Sequence, residues 1–207
     1  MFYKSILNVV GVVVAVMLVG CVDNGVDPNG PNNNGGGGGN YTYTGRTITI
    51  NGQVWMAENL NRATANSKCY DDDASNCAKY GRLYTWADAK NACPAGWHFP
   101  SDAEWTMLTD AVGGAFTAGT KLKSTSGWGY DGNGTDDYGF SALPGGYGYS
   151  RGYFGAGYDG SWWGDTESVV VDGDTVAWYR NMLDYDSSVV RYRLNTGYLF
   201  SVRCVQN

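Results

Sequence analysis

Histidine, charge and basic residues are all scarce in this sequence. Its 207 residues include one His, only 16% are charged, and the formal net charge is −6. A protein that binds nucleic acid needs a basic surface for the phosphates, so we expect no nucleic-acid partner. The 31 glycines lack the Gly-X-Y period of collagen. The 8 Trp and 16 Tyr exclude a wholly disordered chain.

The first twenty residues have the pattern of a secretory signal peptide. Lys4 precedes an apolar run over residues 6–19, which is shorter than the roughly 20 apolar residues of a membrane-spanning helix. Leu18-Val19-Gly20-Cys21 resembles the bacterial lipobox, whose cysteine is lipidated and becomes the first residue of the mature chain. We expect residues 1–20 to be removed and Cys21 to anchor the chain to a lipid bilayer. An uncleaved anchor and an ordinary signal peptide are the alternatives.

A tether follows the lipidation site. Residues 22–40 contain mainly Gly, Asn and Pro without apolar periodicity, so they cannot bury enough surface to offset the entropy of ordering them. We therefore expect residues 21–40 to form a lipidated cysteine and a flexible tether, which spans roughly 24 Å as a random coil. Residues 41–207 contain no repeat and no second linker, and are predicted to form one domain.

Three β-hairpins are predicted in this domain. Residues 47–50 and 53–56 flank Asn51-Gly52, which favours a two-residue type I′ turn. Residues 169–171 and 174–178 flank Asp172-Gly173 in the same way. The third hairpin is predicted from residues 189–194 and 198–205, which lie on either side of Asn195-Thr196-Gly197.

Two helices are predicted before most of these strands. The first covers residues 83–92 and ends before Cys93-Pro94, because proline cannot continue a helix and disfavours it in the preceding residue. The second begins with a capping box, in which Ser101 is the N-cap and Glu104 lies three residues on. Two helices with short, turn-rich antiparallel strands indicate an α+β fold.

Four cysteines remain when Cys21 is set aside. An even number in an exported chain predicts two disulfides, for which three connectivities are open. Cys69 and Cys77 flank a short acidic loop and could pair locally, in which case Cys93 would pair with Cys204 and close a loop of about 110 residues. A zinc site is the alternative, but the spacing lacks the CxxC pairs of zinc modules. We predict no metal and no cofactor.

The domain contains several long motifs. They are residues 69–77 (CYDDDASNC), 80–86 (YGRLYTW), 93–105 (CPAGWHFPSDAEW), 139–146 (GFSALPGG), 162–163 (WW) and 201–205 (SVRCV). Together they resemble the Fibrobacter succinogenes major paralogous domain over nearly all of residues 41–207. The resemblance implies an exported bacterial lipoprotein, since most members of that family are of this kind.

The order of the elements is also similar to the C-type-lectin-like fold. In that fold a cysteine at the end of a helix bonds a cysteine on the last strand, so the resemblance implies a Cys93–Cys204 disulfide. Residues 97–105 also resemble the RLPTEAEWE stretch of formylglycine-generating enzymes, a branch of the same fold. The EPN/QPD and WND motifs of calcium-dependent lectins and the reactive cysteine pair of the formylglycine enzymes have no counterpart, so neither activity is implied.

Catalytic candidates are few. His98 lies between two aromatic residues in a predicted strand, which favours a structural role over a nucleophilic triad. Glu104 is explained by the capping box, and Asp102 suits the first turn of a helix. Asp165 and Glu167 follow a pair of tryptophans and could serve a carbohydrate-active enzyme as its carboxylate pair. We expect binding rather than catalysis and keep this enzyme as the alternative.

One loop has the alternating oxygen ligands of a calcium site. Asp131, Asn133, Thr135 and Asp137 are spaced in this way, but Ala142 stands where a calcium loop would have its twelfth-position Glu. We interpret the segment as a polar turn. The acidic run at residues 71–73 is interpreted as a solvated loop.

A stretch rich in Tyr, Gly and Ser over residues 147–163 is the strongest binding signal. Such composition is typical of binding loops, because Tyr and Trp supply large contact area at low entropic cost. The candidate ligand-binding residues are Tyr147, Tyr149, Tyr153, Tyr158, Trp162 and Trp163. For the two tryptophans a place in an aromatic β-core is the favoured interpretation.

These patterns together predict a lipid-anchored protein of the bacterial cell envelope, at the outer membrane and exposed on the cell surface. We expect its domain to bind or adhere to a polysaccharide or a protein. A structural envelope protein without a small ligand is a further alternative.

Overall fold

A computed structural model describes residues 41–166 and 168–207, all within the unit Gly37–Asn207. The predicted signal peptide, Cys21, the tether and Glu167 lie outside the described residues. In the described ranges no helix combines the length and apolar character needed to cross a membrane.

The described residues form helices and two sheets whose strands are mostly antiparallel, which confirms the α+β class. The helices are α1 (Ala74–Tyr80), α2 (Trp86–Ala89), α3 (Asp102–Ala111) and α4 (Ala115–Leu122), and a 3-10 turn spans Tyr70–Asp72. The strands are β1 (Thr47–Ile50), β2 (Gln53–Met56), β3 (Trp97–His98), β4 (Gly145–Tyr149), β5 (Gly152–Ala156), β6 (Asp159–Trp163), β7 (Val169–Val171), β8 (Asp174–Leu183), β9 (Val190–Asn195) and β10 (Val205–Gln206).

The smaller sheet has the strand order β1-β2-β10-β3. The larger sheet has the order β5-β4-β6-β8-β7, with β9 also paired to β8. Only β4 and β6 pair in parallel within it, through Gly146 and Gly160. Residues 199–201 add a short strand-like segment that contacts both β4 and β6, since Gly148 bridges to Leu199 and Trp162 bridges to Ser201.

The first two predicted hairpins are confirmed and the third is wrong. Asn51 and Gly52 have φ angles of 49° and 77°, as a type I′ turn requires, and connect β1 to β2. Asp172 and Gly173 connect β7 to β8 in the same way. In contrast, β9 pairs with β8, and the chain after Gly197 leaves β9 to contact Tyr84, Gly148 and finally β2 and β3.

The helix predictions are partly correct. The capping box at the start of α3 is present, with Ser101 Oγ accepting from Glu104 N and Glu104 Oε2 accepting from Ser101 N. The helix predicted over residues 83–92 is only α2, because the backbones of Leu83 and Tyr84 pair with Lys68 and Phe200 instead. Helices α1 and α4 were not predicted, and so the expectation of two helices is wrong.

The core combines buried tryptophans with aliphatic residues. One cluster packs Trp55, Trp105 and Trp162 beside α3 and α4, with Trp55 and Trp105 ring centroids 5.0 Å apart. A second cluster contains Tyr84, Phe99, Trp163 and Phe200.

Both disulfides of the sequence-based pairing are present. Cys69 is bonded to Cys77, and Cys93 to Cys204. The first bond closes the segment that contains the 3-10 turn and most of α1. The second joins the segment after α2 to the residue that precedes β10, as the resemblance to the C-type-lectin-like fold implies.

Candidate binding face

Eight aromatic rings form a continuous cluster on one face of the larger sheet. We call this cluster the aromatic row; it consists of Tyr147, Tyr149, Phe154, Trp163, Tyr179, Tyr192, Tyr198 and Phe200. Side chains two residues apart on a strand point to the same face, which places Tyr147 beside Tyr149 and Tyr198 beside Phe200. Trp163 and Phe200 are buried at the base of the row, whereas Phe154 and Tyr192 are 38% and 53% exposed.

The rings of the row lie close enough to stack. Tyr149 is 5.0 Å from Tyr198 at an interplanar angle of 16°, and 5.1 Å from Phe154 at 28°. At the base, Phe200 lies 4.4 Å from Trp163 and 4.6 Å from Tyr179. Offset-stacked and tilted pairs at these distances are favourable beyond their buried area. The packing therefore favours the observed arrangement of the half-exposed tyrosine rings.

The segment after β9 places Tyr198 and Phe200 in the row. Leu199 exchanges backbone hydrogen bonds with Gly148, and Phe200 exchanges them with Tyr84. A Cβ at Gly148 would lie 3.0 Å from the Tyr153 ring and 3.1 Å from the Leu199 side chain, so a larger residue there would require these side chains to shift. Residues distant in the sequence are thus fixed side by side.

A carboxylate with a raised pKa lies next to the row. Asp159 Oδ1 accepts hydrogen bonds from Ser161 Oγ at 2.9 Å and from Asn181 Nδ2 at 2.7 Å. Burial raises the pKa of Asp159 to about 6, against the lowering effect of these two hydrogen bonds. Burial and the nearby Asp159 charge raise the pKa of Tyr147 and that of Tyr179, the latter to about 12.

An open cleft lies at one end of the row. It has a volume of about 760 Å³ and is bordered by the β4–β5 turn, the start of β8 and the end of β9. Its lining includes Arg151, Asp174 and Asn195 together with Tyr149 and Tyr198. Arg193 also borders the cleft, but its guanidinium lies over the Trp178 ring, on the face opposite to Tyr192. The cleft therefore adjoins the aromatic surface and adds charged groups to it.

The four predicted binding tyrosines divide into three groups. Tyr147 and Tyr149 belong to the aromatic row. Tyr153 points to the opposite face, where it stacks near Tyr70 at 5.5 Å and donates to Asp72 Oδ1. Tyr158 is 47% exposed and packs against the more exposed Tyr130, away from the row.

Trp162 and Trp163 are core residues, which corrects their candidacy as ligand contacts. Both are fully buried. Trp162 Nε1 donates to Asn59 Oδ1, and Trp163 Nε1 donates to the Tyr84 carbonyl. Because their polar atoms are satisfied and their rings are covered, neither offers a surface to a ligand.

The catalytic candidates hold structural contacts. His98 Nε2 lies 2.6 Å from Glu104 Oε1, and Nδ1 lies 2.8 Å from Asn207 Oδ1. Burial alone would lower the pKa of His98, but these hydrogen bonds outweigh it and raise the pKa. Asp102 forms ion pairs with Arg180 and Arg191, whose hydrogen bonds outweigh its burial and lower its pKa.

The predicted carboxylate pair is not assembled by the described residues. Asp165 is exposed, and its backbone N–H donates to the Pro100 carbonyl. Its predicted partner, Glu167, lies outside the described ranges. In those ranges no group of three or more His, Cys, Asp or Glu side chains is placed to hold a metal ion.

Two of the side-chain oxygen atoms in the loop with calcium-like spacing form hydrogen bonds to neighbouring backbone groups. Asn133 Oδ1 accepts from the Trp128 backbone N–H, and Thr135 Oγ1 donates to the Thr120 carbonyl. Asp131 and Asp137 are exposed. These contacts are those of a polar turn that packs against the end of α4.

One comparison with known proteins gives a result. A family model described as the Fibrobacter succinogenes major domain matches residues 48–206. The chain belongs to this family. No curated protein and no solved structure matches the chain.

Several motifs of the Fibrobacter succinogenes major domain build the framework in this chain. Arg203 is fully buried, where it stacks on Phe140 and donates to Asn59 Oδ1 and the carbonyls of Phe140 and Ser141. Burial lowers its pKa. The motifs around Cys93, Ser101 and Cys204 supply the long disulfide and the capping box. These residues thus supply framework contacts, and the rings of the aromatic row also lie within the matched residues 48–206.

The sequence did not predict many of the residues on the face that carries the aromatic row. The missed residues are Phe154, Asp159, Tyr179, Asn181, Tyr192 and Tyr198. Alternation within β8 and β9 could have placed Tyr179 and Tyr192 on single faces. It could not have indicated that residues 198–200 cross to β4, because that contact is set by tertiary pairing.

Proposed function

We propose that this chain is an exported lipoprotein, anchored to the bacterial envelope through Cys21, whose domain binds polysaccharide on the aromatic row. The observation that carries the proposal is a set of prearranged, half-exposed aromatic rings on one sheet face. Rigid rings supply contact area at low entropic cost, which favours binding.

A glycan fits the chemistry of this face. Sugar rings present both apolar C–H surface and hydroxyl groups, and the row combines aromatic surface with tyrosine hydroxyls. Asp159 and Asn181 add polar groups beside Tyr147 and Tyr179. A protein ligand would use the same rings as anchors, so it is the competing outcome of the test below.

The fold we propose for the domain is of the C-type-lectin-like type. The Cys93–Cys204 bond and the order of α2, β3, α3 and the final strand support this assignment. The calcium-lectin motifs have no counterpart in the sequence, so the aromatic row takes the place of a calcium-dependent sugar site in our proposal.

We further propose binding without turnover. Glycoside hydrolysis commonly requires two carboxylates that flank the scissile bond. Asp159 is the carboxylate beside the row, and its hydrogen-bond partners among the described residues are Ser161 and Asn181.

Retention on glycans tests the binding site. The full-length protein, purified in detergent, is incubated with a panel of insoluble polysaccharides, and bound protein and released sugar are both measured. We expect retention on at least one polysaccharide, a loss of about tenfold in affinity for Tyr149→Ala or Tyr198→Ala, and no sugar release.

Tyr130→Ala is the matched control, because Tyr130 is highly exposed but lies outside the row. Retention on none of the polysaccharides would contradict the proposal and favour a protein ligand or a structural role. Sugar release that disappears in Asp165→Asn or Glu167→Gln would establish the enzyme instead.

Membrane attachment is tested separately. Cys21→Ser removes the thiol that would be acylated, so we expect the protein to move from the membrane fraction to the soluble fraction. Intact-mass measurement of the unaltered chain should give an acylated Cys21 as the first residue. An unmodified cysteine with the leader still attached would overturn the lipoprotein assignment.

A further inference from the structure

We propose that the aromatic row and Asp159 together bind a protonated amine of the ligand, so that the polysaccharide is one that contains amino sugars. This inference rests on the proposed function and names the class of glycan. Its basis is the position of the Asp159 carboxylate, which lies beside the rings of the row and is paired with no cation in the part of the chain that the structure describes.

The arginines of β8 and β9 lie on the face opposite to the row. Tyr179 pairs with Tyr192 on the face of the row. Because side chains alternate along a strand, Arg180, Arg191 and Arg193 point to the other face. The first two bind a carboxylate on α3, and the last two lie over a tryptophan ring of β8. Among the described residues, no lysine or arginine lies over a ring of the row.

Asp159 is on the same face as the rings of the row. Asp159, Ser161 and Trp163 alternate along β6, and the hydrogen bond from Ser161 Oγ to Asp159 Oδ1 agrees with a shared face. The side chains of Asp159 and Tyr147 both lie against Gly155, where a Cβ would be 2.9 Å from Asp159 Cβ and 3.4 Å from the Tyr147 ring. The carboxylate is therefore next to the aromatic surface.

One oxygen of this carboxylate is free to accept from a ligand. Asp159 Oδ1 accepts from Ser161 Oγ and Asn181 Nδ2, whereas Oδ2 has no hydrogen-bond partner among the described residues and is not one of their enclosed, unpartnered atoms. Both donors are neutral, so they orient the carboxylate without compensating its charge. Burial raises the pKa of Asp159 to about 6, and a cation on the ligand would offset that cost of charging it.

A protonated amine is attracted by both parts of this surface. The faces of aromatic rings are electronegative and attract cations, and a carboxylate forms a strong charge-assisted hydrogen bond with an ammonium group. The formal net charge of −6 adds a long-range attraction for a cationic polymer. In the adjoining cleft the opposite charges of Arg151 and Asp174 offset each other. An amino sugar carries its ammonium group directly on a ring that can stack on the tyrosines, so it meets both requirements.

The test compares a glucosamine oligomer with the glucose oligomer of the same linkage and length. The two differ only in the amine or hydroxyl group at one position of each ring, so the pair isolates the ammonium group. The full-length protein in detergent is used at about pH 6.5, where most of Asp159 is ionised and the amines keep part of their charge. Calorimetry should give about tenfold tighter binding of the glucosamine oligomer. This preference should shrink as salt is added.

Variants locate the preference. Asp159→Asn removes the charge and keeps the shape of the side chain, so the ratio of glucosamine to glucose affinity should fall to about one while binding of the glucose oligomer is retained. Asp110→Asn is the matched control, because Asp110 is exposed on α3, which contacts the other face of the sheet through Asp102 and Arg180. The control should keep the ratio of the unaltered protein.

The outcomes separate this inference from the proposed function. Equal affinity for the two oligomers in the unaltered protein would overturn the amino-sugar assignment while leaving glycan binding intact. A preference that survives in Asp159→Asn, or that Asp110→Asn loses as well, would overturn the role of Asp159. Binding of a lysine-rich peptide but not of the glucosamine oligomer would overturn the inference in favour of a basic protein. A lack of binding to every glycan, neutral or cationic, would remove the proposed function itself.

Discussion

Asp159 links acid–base chemistry to the aromatic row. Its carboxylate is partly buried between Ser161 and Asn181, and its charge acts on the hydroxyl groups of Tyr147 and Tyr179. The folded state raises its pKa to about 6, above the ordinary value of 3.8. The folded protein therefore binds this proton more tightly than the unfolded chain does.

The sign of the resulting pH dependence follows directly. Above pH 6 the folded state carries a desolvated charge, which lowers stability, and this cost disappears as the pH falls toward 4. We expect Asp159→Asn to raise the melting temperature at pH 7.5 and to give no gain near pH 4. The difference in the free energy of unfolding between Asp159→Asn and the unaltered protein should change by on the order of 1–2 kcal/mol between pH 4 and pH 7.5.

Calorimetric unfolding at several pH values checks this expectation. Asp165→Asn, which replaces an exposed carboxylate, serves as the control. A constant difference between Asp159→Asn and the unaltered protein from pH 4 to pH 7.5 would contradict the raised pKa.

At the scale of elements, α3 depends on its first turn. Ser101 Oγ and the Glu104 carboxylate satisfy each other's backbone N–H groups, and Glu104 also contacts His98. Loss of an N-cap side chain commonly costs about 1 kcal/mol. We expect Ser101→Ala to lower the free energy of unfolding by roughly that amount in denaturant titrations.

Ser126→Ala is a suitable comparison, because Ser126 is exposed and not at a helix terminus. Its effect should stay within about 0.5 kcal/mol. If both variants lose the same stability, the capping box does not stabilise α3.

The elements that sequence reasoning predicted are those set by neighbours in the chain. Asn51-Gly52 and Asp172-Gly173 determine their turns locally, and Ser101 with Glu104 starts α3 within one turn. The expected partner of β9 was wrong because pairing with β8 buries Leu194 against the second core cluster, whereas the turn at Asn195 is compatible with either path.

The candidate site was predictable only in part for the same reason. The composition of residues 147–163 indicated an aromatic surface, and Tyr147 and Tyr149 do lie on it. Trp163 belongs to the same strand-rich stretch but is covered by Phe200 and Tyr179, which come from distant segments. Burial of one ring and exposure of another depends on the assembled sheet, and the local sequence holds no signal for it.

At the scale of the whole molecule, the two disulfides should differ in their effect on stability. The Cys93–Cys204 bond spans 111 residues and the Cys69–Cys77 bond only 8. In the chain-entropy model a longer loop constrains the unfolded chain more. We expect Cys93→Ala/Cys204→Ala to lose about 4–5 kcal/mol and Cys69→Ala/Cys77→Ala about 2–3 kcal/mol.

Urea unfolding of the two double variants measures these losses side by side. Each variant retains the other bond, so the comparison is internally controlled. A larger loss for the short loop would show that local order around α1, rather than chain entropy, sets the contribution of a bond.

The position of β10 also has a consequence for the order in which the domain is completed. β10 lies between β2 and β3 in the smaller sheet, yet follows all the other strands in sequence. During synthesis Cys93 emerges 111 residues before Cys204, when Cys69 and Cys77 are already present. The long disulfide and the smaller sheet can therefore be completed only after every other strand of the domain has been made.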